Sequence, residues 1–121
     1  MYYSSCILYQ NKVYVKLWHN VTIYRSEFDP EFYIEPAKDR NGRKTWSSSN
    51  LKFAIWYDNK ANVWTIGLAR DRGTKEPNNP GAIKSTQSAF CPNKKGLRFH
   101  WQNRGKWYLA PQNSVTIKCL K

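Results

Sequence analysis

The segment 94–107 combines basic and aromatic side chains, and this chemistry suits the binding of anions. Our candidates in it are six groups that can carry positive charge and the second of its two indoles: Lys94, Lys95, Arg98, His100, Arg104, Lys106 and Trp107. Guanidinium and ammonium groups make charge-assisted hydrogen bonds to sulfate, phosphate and carboxylate. An exposed aromatic face can stack on a flat ligand. The segment is therefore our first candidate for a ligand-binding surface.

Two smaller basic clusters lie elsewhere in the chain. One contains Arg70 and Arg72, within a long stretch rich in Gly, Pro and Asn, and the other places Arg43 near Trp46. We expect Trp46 to be exposed, because three serines follow it in a region rich in turn residues. The alternative to a binding role is that the indoles in predicted strands belong mostly to the core: Trp56, Trp64, Trp101 and Trp107.

The net charge of the chain favours an anionic partner. The 121 residues include 20 Lys and Arg against 8 Asp and Glu, which gives +12. The charge is uneven, at +3 for residues 1–60 and +9 for residues 61–121. Such a field attracts polyanions and anionic surfaces, although it has no bearing on the fold.

Catalysis and metal binding have little support in the sequence. The two imidazoles, His19 and His100, have no evident nucleophile to activate. Five of the eight carboxylates fall between residues 27 and 39, where they favour a solvated loop over a calcium site. The cysteines lack the spacing of a zinc site. We therefore predict a protein that is not an enzyme and has no cofactor.

The pattern of short apolar segments and turn residues predicts an all-β protein. Strands are expected at 12–17, 21–24, 53–57, 63–68, 97–102, 106–109 and 114–119. The clearest hairpin joins 53–57 to 63–68, and Asn41-Gly42 predicts a tight turn. A short helix within 82–90 is a weaker expectation. The prediction is a single domain over 1–121, folded as a small antiparallel sandwich or bent sheet of six to seven strands.

The cysteines and the first residues of the chain do not decide between an intracellular and a secreted protein. Cys6, Cys91 and Cys119 allow three different single disulfides. The start has no signal-peptide pattern, so the chain is either intracellular or a mature form with an added Met. Asn20 begins an N-glycosylation pattern, Asn-Val-Thr, which favours secretion. No apolar run is long enough to predict a transmembrane segment.

Several ordered motifs resemble a known extracellular module. Residues 41–49 (NGRKTWSSS), 53–57 (FAIWY) and 63–67 (VWTIG) are similar to its "NGRPVY…YIYY…WVIG" core. The order of Cys91-Pro92, Trp101, Trp107, Pro111 and 114–119 (SVTIKC) is similar to its "CP…W…W…P-SVTV-C" ending. This small β-module occurs in secreted and ectodomain proteins of marine invertebrates. The resemblance covers about residues 32–119.

The resemblance implies an extracellular β-domain that is usually cross-linked and often repeated. Two features depart from it: Lys44 replaces the expected proline, and the usual N-terminal cysteine pair is reduced to Cys6. Cys91 and Cys119 both lie in the matching region, so the resemblance favours a bridge between them, with Cys6–Cys119 as the alternative. The remaining cysteine can link two molecules into an oligomer.

The function predicted from these features is an extracellular, lectin-like binding module for glycans or another anionic matrix component, with sulfated polysaccharide as the favoured ligand. Mineral surfaces and anionic lipid head groups would be attracted by the same field. One alternative is a structural, adhesion or skeletal-matrix domain without a small ligand. A second is a nucleic-acid-binding protein, although no RNA-binding signature is present.

Overall fold

The described residues form one antiparallel β-sheet. The computed structural model describes residues 12–17, 28–40, 43–58, 61–71, 83–89, 91–103 and 105–119, with backbone alone at 36–40, 43–44, 103 and 119. These segments contain nine strands: β1 Lys12–Leu17, β2 Glu31–Arg40, β3 Arg43–Ser48, β4 Phe53–Asp58, β5 Val63–Leu68, β6 Ile83–Ser85, β7 Phe99–Asn103, β8 Lys106–Leu109 and β9 Val115–Cys119. A short 3-10 helix, Ala69–Asp71, follows β5.

The strand order shows how the sheet is built. Strands β1 to β8 follow one another as an antiparallel meander, and β9 returns to pair with β1, so β8 and β9 are the two edges. Residues from opposite ends of this order, such as Ile117 of β9 and Phe99 of β7, belong to one core cluster. The sheet is therefore curled around the core. We call the face that contacts the core the core face, and the opposite face the outer face.

Alternation along the strands decides which residues enter the core. In β1, Val13 and Val15 are buried while Tyr14 and Lys16 are exposed, as expected from the period of two in a strand. In β9, Val115 and Ile117 are buried and Lys118 is exposed. One face of each of these two strands therefore contacts the core, and the other faces solvent.

Trp46 is a correction to the sequence analysis. Its side chain has no exposed surface, and its ring centroid lies 6.3 Å from that of Trp64 in the core. The register pairs it with Ile34 on one side and with Ile55 on the other. The three serines after it signal the turn that ends β3, but the period of two still directs the indole inward.

The central hairpin, β4 and β5, is buried on both faces. Trp64 faces the core, where Nε1 donates a hydrogen bond of 2.8 Å to the carbonyl oxygen of Ala89. Trp56 faces outward and is nevertheless only 1% exposed. The ring of Trp56 passes over Gly67. A Cβ atom added at Gly67 would lie 3.2 Å from Cη2 of Trp56. Glycine at position 67 therefore makes room for this indole.

The sequence located most of the strands but not all of them. The predicted strands at 12–17, 53–57, 63–68, 97–102, 106–109 and 114–119 correspond to β1, β4, β5, β7, β8 and β9. Strands β2 and β3 were not predicted, although Arg40 opposite Arg43 leaves a two-residue connection at the expected Asn-Gly position. The helix expected within 82–90 is wrong, since residues 83–85 form β6. The candidate strand at 21–24 lies outside the described residues.

Two buried threonines give a test of this packing. Thr65 is fully buried and its hydroxyl has no hydrogen-bond partner among the described residues, whereas the hydroxyl of buried Thr45 donates to Glu35 Oε1 at 2.8 Å. Leaving a buried hydroxyl unpaired costs ~1–3 kcal/mol. We therefore expect Thr65→Val to raise the free energy of unfolding by about 1 kcal/mol, and Thr45→Val to lower it by a similar amount.

Urea unfolding of the two variants checks this expectation, and each serves as the control for the other because the substitution is the same. A loss of stability in Thr65→Val would contradict it, since that result requires a partner for the hydroxyl, such as a bound water.

The cysteine pairing stays a prediction. Cys91 is partly buried against the core. The register places the backbone of Cys119 opposite core-facing Val13. No bridge joins two cysteines within the described side chains, because those of Cys6 and Cys119 lie outside them.

Candidate functional site

The edge strand β8 exposes large apolar side chains in an unusual run. All four of its residues are exposed, with Trp107, Tyr108 and Leu109 at 39%, 43% and 49%. Because side chains alternate along a strand, both faces of β8 are open to solvent. Charged residues, proline or a bulge commonly protect an edge strand from pairing with another chain. In β8, Lys106 is the one charged residue. This edge is therefore a candidate for contact with a ligand or partner.

Strand register assembles a cationic and aromatic cluster on the outer face. Lys84 of β6 lies opposite His100 of β7, and His100 lies opposite Leu109 of β8. Trp107 is two residues from Leu109 and shares its face. The ammonium nitrogen of Lys84 lies 5.1 Å from the centroid of the Trp107 ring, within the range of a cation–π interaction. We call Lys84, His100 and Trp107 the outer-face cluster.

A second cation–aromatic pair shows what distinguishes this cluster. Lys12 lies 5.3 Å from the ring centroid of Tyr33, but its ammonium group is also 3.8 Å from the Glu31 carboxylate. Within the described part of the chain, Lys84 has no carboxylate partner. Its charge is therefore available to an anionic ligand, whereas that of Lys12 is largely compensated.

The other face of the edge strand carries a separate aromatic pair. The ring centroids of Trp101 and Tyr108 lie 5.4 Å apart, at an interplanar angle of 35°. Lys106 is on the same face, because it is two residues from Tyr108. Lys106 and Trp107, adjacent in the predicted binding segment, therefore point to opposite sides of the sheet.

Arg98, a predicted ligand-binding residue, has a structural contact. Its Nη2 donates a hydrogen bond of 2.7 Å to the carbonyl oxygen of Ala110, and its buried Nε has no hydrogen-bond partner in the part of the chain that the structure describes. The side chain thus ties the start of β7 to the end of β8. Replacing Arg98 would disturb the hairpin as well as remove a charge.

The remaining predicted residues are spread over the chain. Lys94 and Lys95 are exposed in the turn before β7, and Arg70 is exposed in the 3-10 helix. They do not join the outer-face cluster by any contact within the described residues. Other predicted positions lie outside the described side chains: Arg43, Arg72, Arg104 and Asn20.

No match was found for the chain. Comparisons with family models, curated proteins and solved structures gave none. The resemblance to the extracellular module therefore stays a prediction. No helix among the described residues is long and apolar enough to cross a membrane.

The acidic stretch is not the solvated loop expected from the sequence: most of it lies in β2, and its carboxylates contact other parts of the fold. Asp29 accepts hydrogen bonds from the backbone N–H groups of Glu31 and Asn50 and from the hydroxyl of Ser49. Glu31 pairs with Lys12, and Glu35 accepts from a threonine hydroxyl. Where side chains are described, no three His, Cys, Asp or Glu residues are grouped to hold a metal ion.

Sequence reasoning missed Lys84 as a functional candidate. It lies in a three-residue strand within a stretch rich in Gly, Pro, Asn and Ser, where no alternation is long enough to indicate a strand. Its contact with Trp107 joins strands β6 and β8, which are not adjacent in the sheet. In the sequence, Lys84 is marked only by its neighbours, an isoleucine and a serine. This pattern is too common to identify a functional residue.

Proposed function

We propose that the protein is an extracellular binding module for an anionic glycan, and that the outer-face cluster is its ligand site. The observation that carries the proposal is the exposed indole of Trp107 with the ammonium group of Lys84 over its ring and no described carboxylate beside it. A sugar ring can stack on the indole while a sulfate or carboxylate substituent pairs with the lysine. Sulfated polysaccharide is the favoured ligand.

The length of the β7–β8 hairpin suits an extended polymer. Strand β7 has five residues and is about 17 Å long at ~3.4 Å per residue, with the turn that holds Lys94 and Lys95 before it and the position of Trp107 near its other end. Half-buried His100 lies between the two ends. A linear polyanion lying along this hairpin would meet cationic groups at both ends, and each contact would add to its affinity.

The separate positions of the aromatic rings argue against single-stranded nucleic acid as the ligand. Proteins that bind single strands stack successive bases on aromatic side chains along one groove. In β8 the neighbouring rings, Trp107 and Tyr108, are on opposite faces of the sheet. Only one of the two is available to a strand that follows the outer face. A glycan with one stacked ring and charged substituents fits this arrangement better.

A Cys91–Cys119 disulfide and an extracellular location belong to the same proposal. They are supported by the position of Cys91, which is partly buried against the core, and by the register of Cys119 opposite core-facing Val13. A bridge across the ~27-residue interval would stabilise the fold by roughly 3 kcal/mol in the chain-entropy model. Peptide mapping of the unreduced protein identifies the partner of Cys91, and a Cys6–Cys91 peptide would contradict the pairing.

Binding to immobilised heparin, to neutral dextran and to single-stranded DNA across a salt series tests the function. We expect heparin binding to survive at a salt concentration that releases DNA, because a stacked ring adds a contribution that counterions do not oppose. Dextran should bind weakly or not at all. Heparin and DNA released at the same salt concentration would contradict the proposal, since charge alone would then explain both.

A further inference from the structure

Within the described part of the chain, the backbone of the edge strand has hydrogen-bonding groups without a partner at two positions. The N–H of Ala110 donates to the carbonyl oxygen of Phe99, which continues the β7–β8 register. Hydrogen-bonded and non-hydrogen-bonded pairs alternate in an antiparallel ladder. Lys106 and Tyr108 therefore direct their N–H and C=O groups toward β7. Those of Trp107 and Leu109 point away from the sheet.

We propose that β8 pairs with β8 of a second copy of this chain, to form a symmetric antiparallel dimer. Hydrogen bonding restricts the pairing to registers in which the outward groups of Trp107 and Leu109 meet each other. The register that uses both residues places Trp107 opposite Leu109 of the second copy and Tyr108 opposite its own equivalent. This inference goes beyond the proposed function and does not depend on it.

The side chains are compatible with that register. On the outer face, each Trp107 meets a leucine, and an aromatic–aliphatic cross-strand pair is favourable. On the other face, the two Tyr108 rings meet at a non-hydrogen-bonded pair, where side chains approach closely. The contact thus reaches all three exposed apolar side chains of β8. Because it covers part of the Trp107 ring, dimer formation and the stacking of a sugar on that ring would exclude each other.

Local electrostatics do not oppose the contact even though each copy carries +12. Lys106, the one charged residue of β8, lies opposite Ala110 of the second copy rather than opposite its own equivalent. Along the strands the two Lys106 residues are separated by about 14 Å, at ~3.4 Å per residue, which exceeds the ~8 Å Debye length at physiological ionic strength. The remaining repulsion is long-range, and added salt weakens it.

The small size of the contact predicts a weak dimer. A four-residue edge buries less than the ~800 Å² per partner of a typical stable interface. We therefore expect a dimer that forms at high protein concentration and dissociates on dilution. Because salt screens the repulsion between copies, it should favour this dimer, whereas it should weaken the binding of a polyanion.

Sedimentation velocity of the full chain over a concentration series, at low and at moderate salt, tests the proposal. We expect the wild-type dimer fraction to rise with protein concentration and with salt. Leu109→Lys, which places a charge beside Trp107 of the second copy, should remain monomeric. Leu51→Lys is the matched control, because it adds the same charge at a leucine that is 74% exposed and distant in sequence from the edge.

A second variant examines the backbone directly. Leu109→Pro removes an N–H that points away from β7, so it should abolish the dimer while the hairpin remains paired. Circular dichroism checks that the fold is retained, and the Leu109→Lys variant covers the case in which the proline variant does not fold.

Three outcomes would overturn the proposed dimer: a wild-type monomer at every concentration, equal association of the two lysine variants, or a dimer that is covalent through Cys6 on a non-reducing gel. An unrelated partner strand captured at β8 without any self-association would overturn it as well. Heparin binding by the wild type is measured separately, at a protein concentration at which it is monomeric, so failure of the dimer and failure of the proposed function are distinguished.

Discussion

Replacing Trp64 with alanine is expected to lower the free energy of unfolding by about 3–5 kcal/mol, the range for truncating a fully buried aromatic residue. Trp64 has no exposed surface and lies where the core residues of several strands meet. A loss of that size is a large part of the stability of a small domain, which is typically ~5–15 kcal/mol.

Several contacts of Trp64 would be lost together. Its ring centroid lies 5.3 Å from that of Tyr57 in an edge-to-face arrangement and 6.3 Å from that of Trp46. The indole N–H also satisfies the carbonyl oxygen of Ala89, which would be left without this partner in the buried interior. A cavity and an unsatisfied acceptor would therefore form at the same place.

Urea unfolding measured by tyrosine fluorescence and circular dichroism checks this expectation. Trp107→Ala is the control, because the same truncation at a side chain that is 39% exposed should change stability far less. If the two variants lost equal stability, the assignment of Trp64 to the core and of Trp107 to the surface would be wrong.

The second large effect concerns ligand binding. We expect Lys84→Ala and Trp107→Ala each to weaken heparin binding by about 10-fold. Stacking of planar bases on aromatic side chains is worth ~1–3 kcal/mol, and we place a sugar ring at the low end of that range. Removing the ammonium group should also reduce the slope of log affinity against log salt, by about one unit for each anionic contact that is lost.

The two variants should differ in their salt dependence. Lys84→Ala should reduce the salt slope, whereas Trp107→Ala should lower the affinity and leave the slope nearly unchanged, because an indole releases no counterions. Lys16→Ala is the matched control, since Lys16 is an exposed lysine on the outer face of β1, away from β8 in the sheet. If Lys84→Ala and Lys16→Ala lost equal heparin affinity, the overall charge of the protein would explain the binding, and the outer-face cluster would not.

The strands that could be predicted are those with clear period-two alternation or aromatic and β-branched content. Segments 53–57 and 63–68 have this composition and form the central hairpin of the sheet. Strand β2 was not predicted because it includes Pro36 and several charged residues, and its pairing with β3 shifts register between Ile34 and Asp39. Strand β6 has three residues, too few to show a period.

The candidate site was predicted only in part. The β7–β8 hairpin and its basic composition follow from local pattern, so Trp107 and His100 could be named from the sequence. Burial depends on contacts between distant segments, and for this reason Trp46 was wrongly expected to be exposed. The partner of Trp107, Lys84, comes from a strand on the far side of β7 and could be found only from the sheet order.

The ratio of heparin affinity to double-stranded DNA affinity, for the wild type and for Trp107→Ala at one moderate salt concentration, tests the central claim most directly. The account predicts that the wild type prefers heparin and that this preference falls about 10-fold in the variant, because paired bases cannot stack on the indole and only heparin loses a stacked contact. A ratio that is the same for both proteins would contradict it. In that case the outer-face cluster would have no role in recognising a glycan.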